Sequence, residues 1–542
     1  MKLFRPLEAL SLVLPLAMSA VAHAGEVKPK EALKHIVIIF QENISFDHYF
    51  ATYPVALNPA DEPKFTALPN TPKVNGLSGD LLTKNPNFLN EANGAGRANP
   101  FRLRRDQAAT ADQSHSYQPE QLAFNHGKMD LFPKSVGHPD GPRVPGEHQG
   151  IPSTTGLTMG YFDGNTVTAY WNYAQHFAMS DNSFGVQFGP STPGAINLIS
   201  GTTNGVVNDQ NAGGDIIPDG GGGFTMVEDP LPFGDACAST NDALVHMTGR
   251  NIGDMLNERG ISWGFFQGGF DLTAVNANGS TGCRRSNTSA AKLLKRDYLP
   301  HHEPFQYYKS TANPDHVRPT SLATIGKQED GKANHQYDSH DFFDAIKSGN
   351  FPAVSFIKAP AYQDGHAGYS SPLDEQKFVV SVINAIQQLP EWKNTAIIIA
   401  YDDSDGWYDH VKGPTRYGSA TPLDNLDGTG KCGDPETALP GVNSNTKHAY
   451  GRCGYGPRLP LLVISPWAKA NFVDHTLTDQ ASIMHLIEDT FLDGKRLGGG
   501  SYDATSGSLN NMFDFRKKKP QNHRQVLLNE DTGEVTSINK LK

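Results

Sequence analysis

Five short apolar runs in this chain lack the alternation of polar and apolar residues that marks a half-exposed strand. Strands of this kind are covered on both faces, as in a parallel sheet. Helical patterns at 375–388 and 479–491 lie among the runs, so the order of elements predicts an α/β fold with a largely parallel central sheet. The five runs are 35–40, 261–266, 353–357, 396–400 and 459–464.

The first residues have the pattern of an export signal. Lys2 and Arg5 precede an apolar run at 10–20, and small residues follow it at Ala22 and Ala24. This pattern predicts a signal peptide over 1–24, removal of which would leave a mature chain that starts near Gly25. No later segment offers about 20 uninterrupted apolar residues. We therefore expect a periplasmic or secreted protein without stable membrane insertion.

Export permits disulfide bonds, and the four cysteines form two local sets. Of the three possible connectivities we favour Cys237 with Cys283 and Cys432 with Cys453, with free buried thiols as the alternative. The first pair lies in a stretch from about 200 to 340 that is rich in Gly, Asn, Asp and Pro. We interpret this stretch as an inserted smaller lobe of one domain that covers 25–542.

The charge of the chain limits its partners. The formal net charge is −11, whereas binding to a nucleic-acid backbone calls for a surplus of Lys and Arg. We therefore exclude a nucleic-acid partner. A small charged substrate can still bind in a locally positive cleft.

Polar residues follow two of the predicted strands. Glu42 and Asn43 come after the strand 35–40, and Asp402 and Asp403 come after the strand 396–400. Ligands of an open parallel sheet bind beyond the carboxyl ends of its strands, so these groups are expected to converge. Their oxygens suit a divalent cation, although each motif alone can equally be a helix cap or a turn.

A third segment carries a hydroxyl pair. Ser191 and Thr192 lie in a Gly/Pro turn at 188–194, before a helix-like run at 195–199. A hydroxyl at a helix N-terminus gains backbone N–H groups that favour a phosphate and an ionised oxygen. An ordinary N-cap is the commoner explanation of such a segment.

Taken together, the three segments resemble the bacterial phosphoesterase family that contains phospholipases C and acid phosphatases. The resemblance runs from about 34 to 491 and implies a core like that of alkaline phosphatase, an α/β/α sandwich with a hydroxyl nucleophile beside a bound metal. It further implies that Ser191 is the nucleophile and that one divalent metal ion binds Glu42, Asn43, Ser191, Asp402 and Asp403. The matching motifs are HIVIIFQEN at 35–43, SFDHYF at 45–50, MGYFD at 159–163, FGPSTP at 188–193, YDDSDGWYDH at 401–410 and PRLPLLVISPW at 457–467.

Within the family, the resemblance is closer to the acid phosphatases. Phospholipases C of this group usually carry Thr where this chain has Ser191, and the acid phosphatases share a His-His segment that matches His301 and His302. By the same similarity, His115 and His366 face the substrate. Charged imidazoles would hold phosphoryl oxygens and protonate the leaving group, which predicts an acidic optimum.

The function expected from the sequence is thus an exported, metal-dependent acid phosphatase that hydrolyses phosphomonoesters through a phosphoserine intermediate. The alternative is a phospholipase C that cleaves the phosphodiester of a phospholipid headgroup. A binding or surface-attachment module without chemistry is a third possibility, disfavoured because the nucleophile and every proposed ligand are present. The identity of the metal stays open, since these oxygens accept several divalent ions.

Overall fold

The structure is a computed structural model that describes residues 27–141, 150–290, 292–442, 448–516, 520, 522 and 524–540. The predicted signal peptide at 1–24 lies outside these residues and stays a prediction. Among the described residues, no helix combines the length and the apolar character that crossing a bilayer requires.

An eight-stranded sheet forms the centre of the molecule, with the strand order β4-β3-β5-β1-β6-β7-β2-β8. Seven strands run parallel, and β7 alone is antiparallel to both of its neighbours. The α/β fold class with a mostly parallel sheet is therefore confirmed. The strands are β1 His35–Gln41, β2 Ala178–Ser180, β3 Trp263–Gln267, β4 Gln336–Asp338, β5 Val354–Lys358, β6 Thr395–Tyr401, β7 Leu461–Ile464 and β8 Phe472–Asp474.

Helices cover the sheet in two groups. One group packs α7 against α3 and α6, and the other packs α4 against α5 and α8. Every residue of β6 is buried, as the uninterrupted apolar run predicts for a strand covered on both faces. The main helices are α1 Phe46–Phe50, α2 Tyr117–Phe124, α3 Thr168–His176, α4 Ser191–Ser200, α5 Ile252–Glu258, α6 Ser339–Lys347, α7 Pro372–Gln387 and α8 Ala481–Phe491.

Short helices and strands complete the fold. Short α-helices cover Pro29–Ala32, Asp80–Thr83, Pro86–Leu89 and Phe132–Ser135. A three-stranded sheet joins Val206–Gln210, Leu244–Met247 and Leu231–Pro232. Pairs of strands join Ile216–Pro218 with Phe224–Met226, Ser286–Thr288 with Leu294–Arg296, Arg524–Leu528 with Val535–Lys540, Phe101–Arg102 with Gly160–Tyr161, and Ser183–Phe184 with Thr478–Asp479.

The region predicted as an inserted lobe, around 200–340, contains several of these small sheets. It also contributes β3 and β4 to the central sheet. Part of this region therefore belongs to the central sheet, and its description as an inserted lobe stays a prediction. Both predicted disulfides, Cys237 with Cys283 and Cys432 with Cys453, are present.

The register of the sheet aligns the ends of three strands. Gln41 of β1 pairs with Tyr401 of β6, and Ile39 pairs with Ile357 of β5. Glu42 and Asp402 are thus the next residues of two adjacent parallel strands. Residues at the carboxyl ends of neighbouring parallel strands meet at one edge, which places these acidic groups together.

Candidate active site

Hydrogen bonds tie the two loops that follow β1 and β6 to each other. The backbone N–H of Asn43 donates to Asp402 Oδ1 over 2.9 Å, and the N–H of Ile44 donates to the Asp403 carbonyl oxygen over 2.9 Å. Asn43 has a φ of 60°, a left-handed conformation that Asn tolerates better than most residues. The chain therefore turns sharply after Glu42 and holds the two loops side by side.

Ser191 is the first residue of α4, and its side chain points into the acidic cluster. Its hydroxyl Oγ lies 3.0 Å from Glu42 Oε2, 3.2 Å from Asp403 Oδ2 and 3.4 Å from Asn43 Oδ1. The close approach of α4 requires Gly194, because a Cβ there would lie 2.2 Å from the Asp402 carbonyl oxygen. Residues predicted from separate segments thus converge around one hydroxyl.

The four predicted histidines lie beside this cluster. His115 Nε2 is 3.5 Å from Asn43 Nδ2, and its ring centroid is 5.8 Å from that of His366. His302 Nδ1 is 3.3 Å from Glu42 Oε1, and the His301 ring lies against the His302 ring at 4.3 Å. The Nε2 atom of His302 is buried and has no hydrogen-bond partner among the described residues. An unsatisfied ring nitrogen at this place is available to a ligand.

The acidic groups are buried almost completely. Burial raises the pKa of Glu42 above its ordinary range, and it raises the pKa of Asp402 and of Asp403 well above theirs. Their charges also oppose one another, since Glu42 raises the pKa of Asp402 and Asp402 raises that of Asp403. A cluster of this kind favours a bound cation, which removes the cost of keeping the carboxylates charged.

One cation of the chain already lies in the cluster. Lys358, the last residue of β5, pairs with Glu42 and lies 3.4 Å from Asp402 Oδ2. Burial disfavours its ammonium, but the carboxylates of Glu42 and Asp402 outweigh that effect and hold its pKa above the ordinary value. A single positive charge does not balance these carboxylates, so the donor set still fits a divalent metal ion.

Two groups of His and acidic side chains have ligand atoms within 4.8 Å of one another at this site. One group is Glu42, His302 and Asp364, and the other is His115, His366 and Asp405. Of the predicted metal ligands, only Glu42 belongs to either group. The Ser191 contacts bring Glu42, Asn43 and Asp403 together, and Asp364 and Asp405 add further acidic groups beside them.

Burial also shifts the pKa values of the four imidazoles. It lowers the pKa of His301 and lowers those of His302 and His366 well below the ordinary value. For His115, the charges of Asp403 and Asp405 outweigh burial and raise the pKa well above the ordinary value. The expectation of several charged imidazoles stays a prediction, which burial opposes at His301, His302 and His366. Only His115 is favoured as an imidazolium ion.

Sequence reasoning missed several buried members of the site. Lys358 directly follows the predicted strand 353–357, so the argument that selected Glu42 and Asp402 would also have selected it. Asp364 lies two residues before the predicted His366, and Asp405 lies within the 401–410 motif. Glu120 of α2 gave no sequence signal, although Ser404 Oγ donates to it over 2.7 Å and burial next to Asp403 raises its pKa to about 8.

Comparison with protein families finds one match that covers most of the chain. The profile of the phosphoesterase family matches residues 33–492. The chain is 25% identical to a non-hemolytic phospholipase C of Pseudomonas aeruginosa, over 89% of this chain and 56% of that protein. It is also 25% identical to a non-hemolytic phospholipase C of Burkholderia pseudomallei, over 92% of this chain and 61% of that protein. The chain thus spans less than two thirds of the length of these two relatives.

A shorter relative is covered more fully. Phospholipase C A of Mycobacterium tuberculosis is 25% identical over 85% of this chain and 73% of that protein. Among solved structures, human ectonucleotide pyrophosphatase/phosphodiesterase 5 aligns with a TM-score of 0.30 and 12% identity, over 64% of this chain and 94% of that one. A Vibrio parahaemolyticus protein in the alkaline phosphatase superfamily aligns with a TM-score of 0.28 and 11% identity, over 69% of this chain and 76% of that one.

Proposed function

Because the chain belongs to the phosphoesterase family, we propose that it hydrolyses phosphoric esters by attack of the Ser191 hydroxyl on phosphorus. The observation that carries this proposal is the position of Ser191 Oγ, 3.0 to 3.4 Å from oxygens of Glu42, Asp403 and Asn43. A hydroxyl needs a base or a metal beside it to become a nucleophile. Its place at the start of α4 puts backbone N–H groups beside the attacked phosphorus, although that of Thr192 already donates to Asp229 Oδ1.

The metal in this proposal is one divalent ion held by oxygens of Glu42, Asn43, Asp402, Asp403 and Ser191. Such an ion supplies a lowered pKa for the Ser191 hydroxyl and charge to neutralise the phosphoryl group. Three of these ligands are buried carboxylates at the ends of β1 and β6, which fits a divalent cation. The ion remains unidentified, because oxygen ligands accept Mg²⁺, Ca²⁺, Mn²⁺ and Zn²⁺ alike.

The residues around Ser191 have separate roles in the proposed reaction. Attack of Oγ on phosphorus would form a phosphoseryl bond and break the bond to the leaving oxygen. The Ser191 proton would pass to the Asp403 carboxylate, 3.2 Å away, and the His115 imidazolium would protonate the leaving oxygen. The His115 imidazolium, which Asp403 and Asp405 stabilise, holds phosphoryl oxygens. His301, His302 and His366 have lowered pKa values through burial, so their neutral rings can accept the proton of the water that hydrolyses the phosphoserine.

For the substrate, we propose the phosphodiester of a phospholipid headgroup. The relatives at 25% identity are named phospholipases C, and the matches cover most of this chain. Asp229 supports the same choice, because its negative charge acts on His115 at the site. A negative group there repels a doubly charged monoester more than a singly charged diester.

A phosphomonoester is the second candidate. It is favoured by Ser191, where phospholipases of the family usually carry Thr, and by the His301-His302 segment that resembles the acid phosphatases. The structure places that segment beside Glu42, at the cluster that surrounds Ser191. Under this candidate, the acidic optimum remains the expectation.

One comparison separates the candidates. Purified protein with excess divalent metal is offered phosphatidylcholine in mixed micelles and p-nitrophenyl phosphate, and kcat/KM is measured for each from pH 4.5 to 9. We expect the phospholipid to be the better substrate and a chelator to abolish the activity. A preference for the monoester at acidic pH would establish the second candidate. Absence of hydrolysis of both esters, with metal bound, would favour a binding module.

A further inference from the structure

The carboxylate of Asp229 occupies the N-terminus of α4, the helix that begins with the proposed nucleophile Ser191. The backbone N–H of Thr192 donates to Asp229 Oδ1 over 2.8 Å. The first N–H groups of a helix have no partner within the helix and attract anions. Thr192 directly follows Ser191, so this N–H lies within reach of a phosphoryl group that is attached to, or attacked by, the Ser191 hydroxyl.

Packing holds the segment of Asp229 against the turn that precedes Ser191. Gly189 has a φ of 118°, and a Cβ there would lie 2.9 Å from the Val227 carbonyl oxygen. On the other side of Asp229, the buried hydroxyl of Tyr307 donates to the Pro230 carbonyl oxygen over 2.5 Å. The backbone on both sides of Asp229 is therefore held in place by these contacts.

The groups that would hold a phosphate also lie near Asp229. Burial lowers the pKa of His301, and the charge of Asp229 opposes that effect. The same charge acts on His115, although more weakly than those of Asp403 and Asp405. The Asp229 carboxylate thus occupies an N–H donor next to Ser191, and its charge acts on two of the imidazoles proposed to bind phosphate.

We propose that the Asp229 carboxylate competes with phosphate for the Thr192 N–H and thereby lowers the affinity of the site for free phosphate. A phosphate oxygen binds the Thr192 N–H only after the carboxylate has left it, and it then still experiences the negative charge of Asp229. The doubly charged product of a monoester meets this competition most strongly. The inference rests on the proposed function in one respect, namely that the Ser191 site binds phosphoryl groups.

Equilibrium binding of inorganic phosphate tests the proposal. Calorimetric titration of the metal-loaded full chain compares the wild type with Asp229→Ala, Asp229→Asn and Glu228→Gln. The alanine variant removes both the charge and the acceptor, whereas asparagine removes the charge and keeps an oxygen that can accept from Thr192. Glu228→Gln, titrated at pH 8 where Glu228 is mostly ionised although burial raises its pKa to about 7, is the matched control, because this adjacent half-buried carboxylate accepts from the Tyr117 N–H instead.

We expect Asp229→Ala to bind phosphate about tenfold more tightly, the size of one charge-assisted hydrogen bond. Asp229→Asn should show a smaller gain, and Glu228→Gln the smallest. An affinity of Asp229→Ala equal to or below that of the wild type would overturn the proposal and leave Asp229 as a helix cap. An equal gain in Glu228→Gln would also overturn it, because the effect would then be one of general charge.

The outcome is independent of the substrate test. Phosphate binding is measured without turnover, so a gain in Asp229→Ala with no hydrolysis of either ester would retain this inference and reject the proposed function. Hydrolysis of phosphatidylcholine with no gain in phosphate binding would do the reverse. Thermal unfolding of each variant reports whether it is folded, and Asp229→Asn, which keeps the acceptor of the helix cap, remains informative if the alanine variant does not fold.

Discussion

At the scale of single residues, the hydroxyl of Ser191 is the group on which the proposed chemistry depends. We expect Ser191→Ala to lower kcat/KM by several orders of magnitude, because the variant lacks the attacking oxygen. The melting temperature should change little, since the substitution removes one oxygen and no packed carbon. Steady-state kinetics and thermal unfolding measure the two effects. Near-normal activity of Ser191→Ala, together with loss of activity in Thr192→Ala, would assign the nucleophile to Thr192.

Removal of one acidic ligand should remove the metal and the activity together. We expect Asp403→Asn and Glu42→Gln to lower the metal content of purified protein, because each deletes a charged oxygen ligand. Elemental analysis measures the content, and Asp112→Asn, at a half-exposed carboxylate outside the Ser191 cluster, is the control. Full occupancy in both ligand variants, or full activity without stoichiometric metal, would contradict the assignment.

Much of the site was predictable residue by residue, for a physical reason. Glu42 and Asp402 were found because they directly follow apolar runs, and strand ends in a parallel sheet carry ligands. The lowered pKa of His302 was not predictable, since it depends on burial by residues distant in sequence. The same holds for the contact of Asp229 with Thr192, which joins residues from separate segments.

At the scale of elements, α7 carries a buried acid that faces β6 and α1. The hydroxyls of Tyr49 and Tyr401 donate to Glu375 over 2.7 and 2.8 Å, and burial raises the pKa of Glu375 to about 7. Between its ordinary value of 4.5 and about 7, the folded state binds more protons at this group than the unfolded state does. The contribution of Glu375 to stability is therefore present at low pH and is lost as pH rises through this window.

The expected result is a pH-dependent difference between wild type and Glu375→Gln. The free energy of unfolding of the wild type should fall relative to the variant between pH 4.5 and 7, by at most about 1.4 kcal/mol per pH unit. Urea unfolding at several pH values measures it. A difference that stays constant over this range would show that Glu375 is ionised in the folded protein as it is in the unfolded chain.

The elements themselves were predictable where they are long. The five apolar runs correspond to β1, β3, β5, β6 and β7, with ends that differ by one or two residues. The strands β2, β4 and β8 were missed because each has three residues, too few to show a pattern. The small sheets between 206 and 296 were missed as well, since strands of two to five residues depend on their partners rather than on their own sequence.

At the scale of the whole molecule, the two disulfides differ in their burial and in the segments that they contact. Cys432–Cys453 is fully buried, and the Cys453 carbonyl oxygen accepts from the N–H of Phe188, in the turn that leads to Ser191. Cys237–Cys283 is half-buried. In the chain-entropy estimate, loops of 46 and 21 residues make each bridge worth about 3–4 kcal/mol.

We therefore expect both bridges to contribute to stability and the second one to contribute more to activity. Replacing both cysteines of a bridge by Ser should lower the melting temperature in either case. Only the Cys432–Cys453 pair should also lower kcat/KM at a temperature where the protein is folded, because it supports the Ser191 turn. Equal kinetic losses from both pairs, or none from the Cys432–Cys453 pair, would contradict this difference.

The pairing of Gln41 with Tyr401 has a consequence for how the proposed metal ion would affect folding. Ligands that are 360 positions apart in the chain come together only once β1 and β6 lie side by side, so the unfolded polypeptide has no preformed binding site. A bound ion then reports the folded fraction of the population and, by mass action, increases it. Under the proposed function, the supply of metal would thus set how long the protein stays folded, as well as how fast it hydrolyses its substrate.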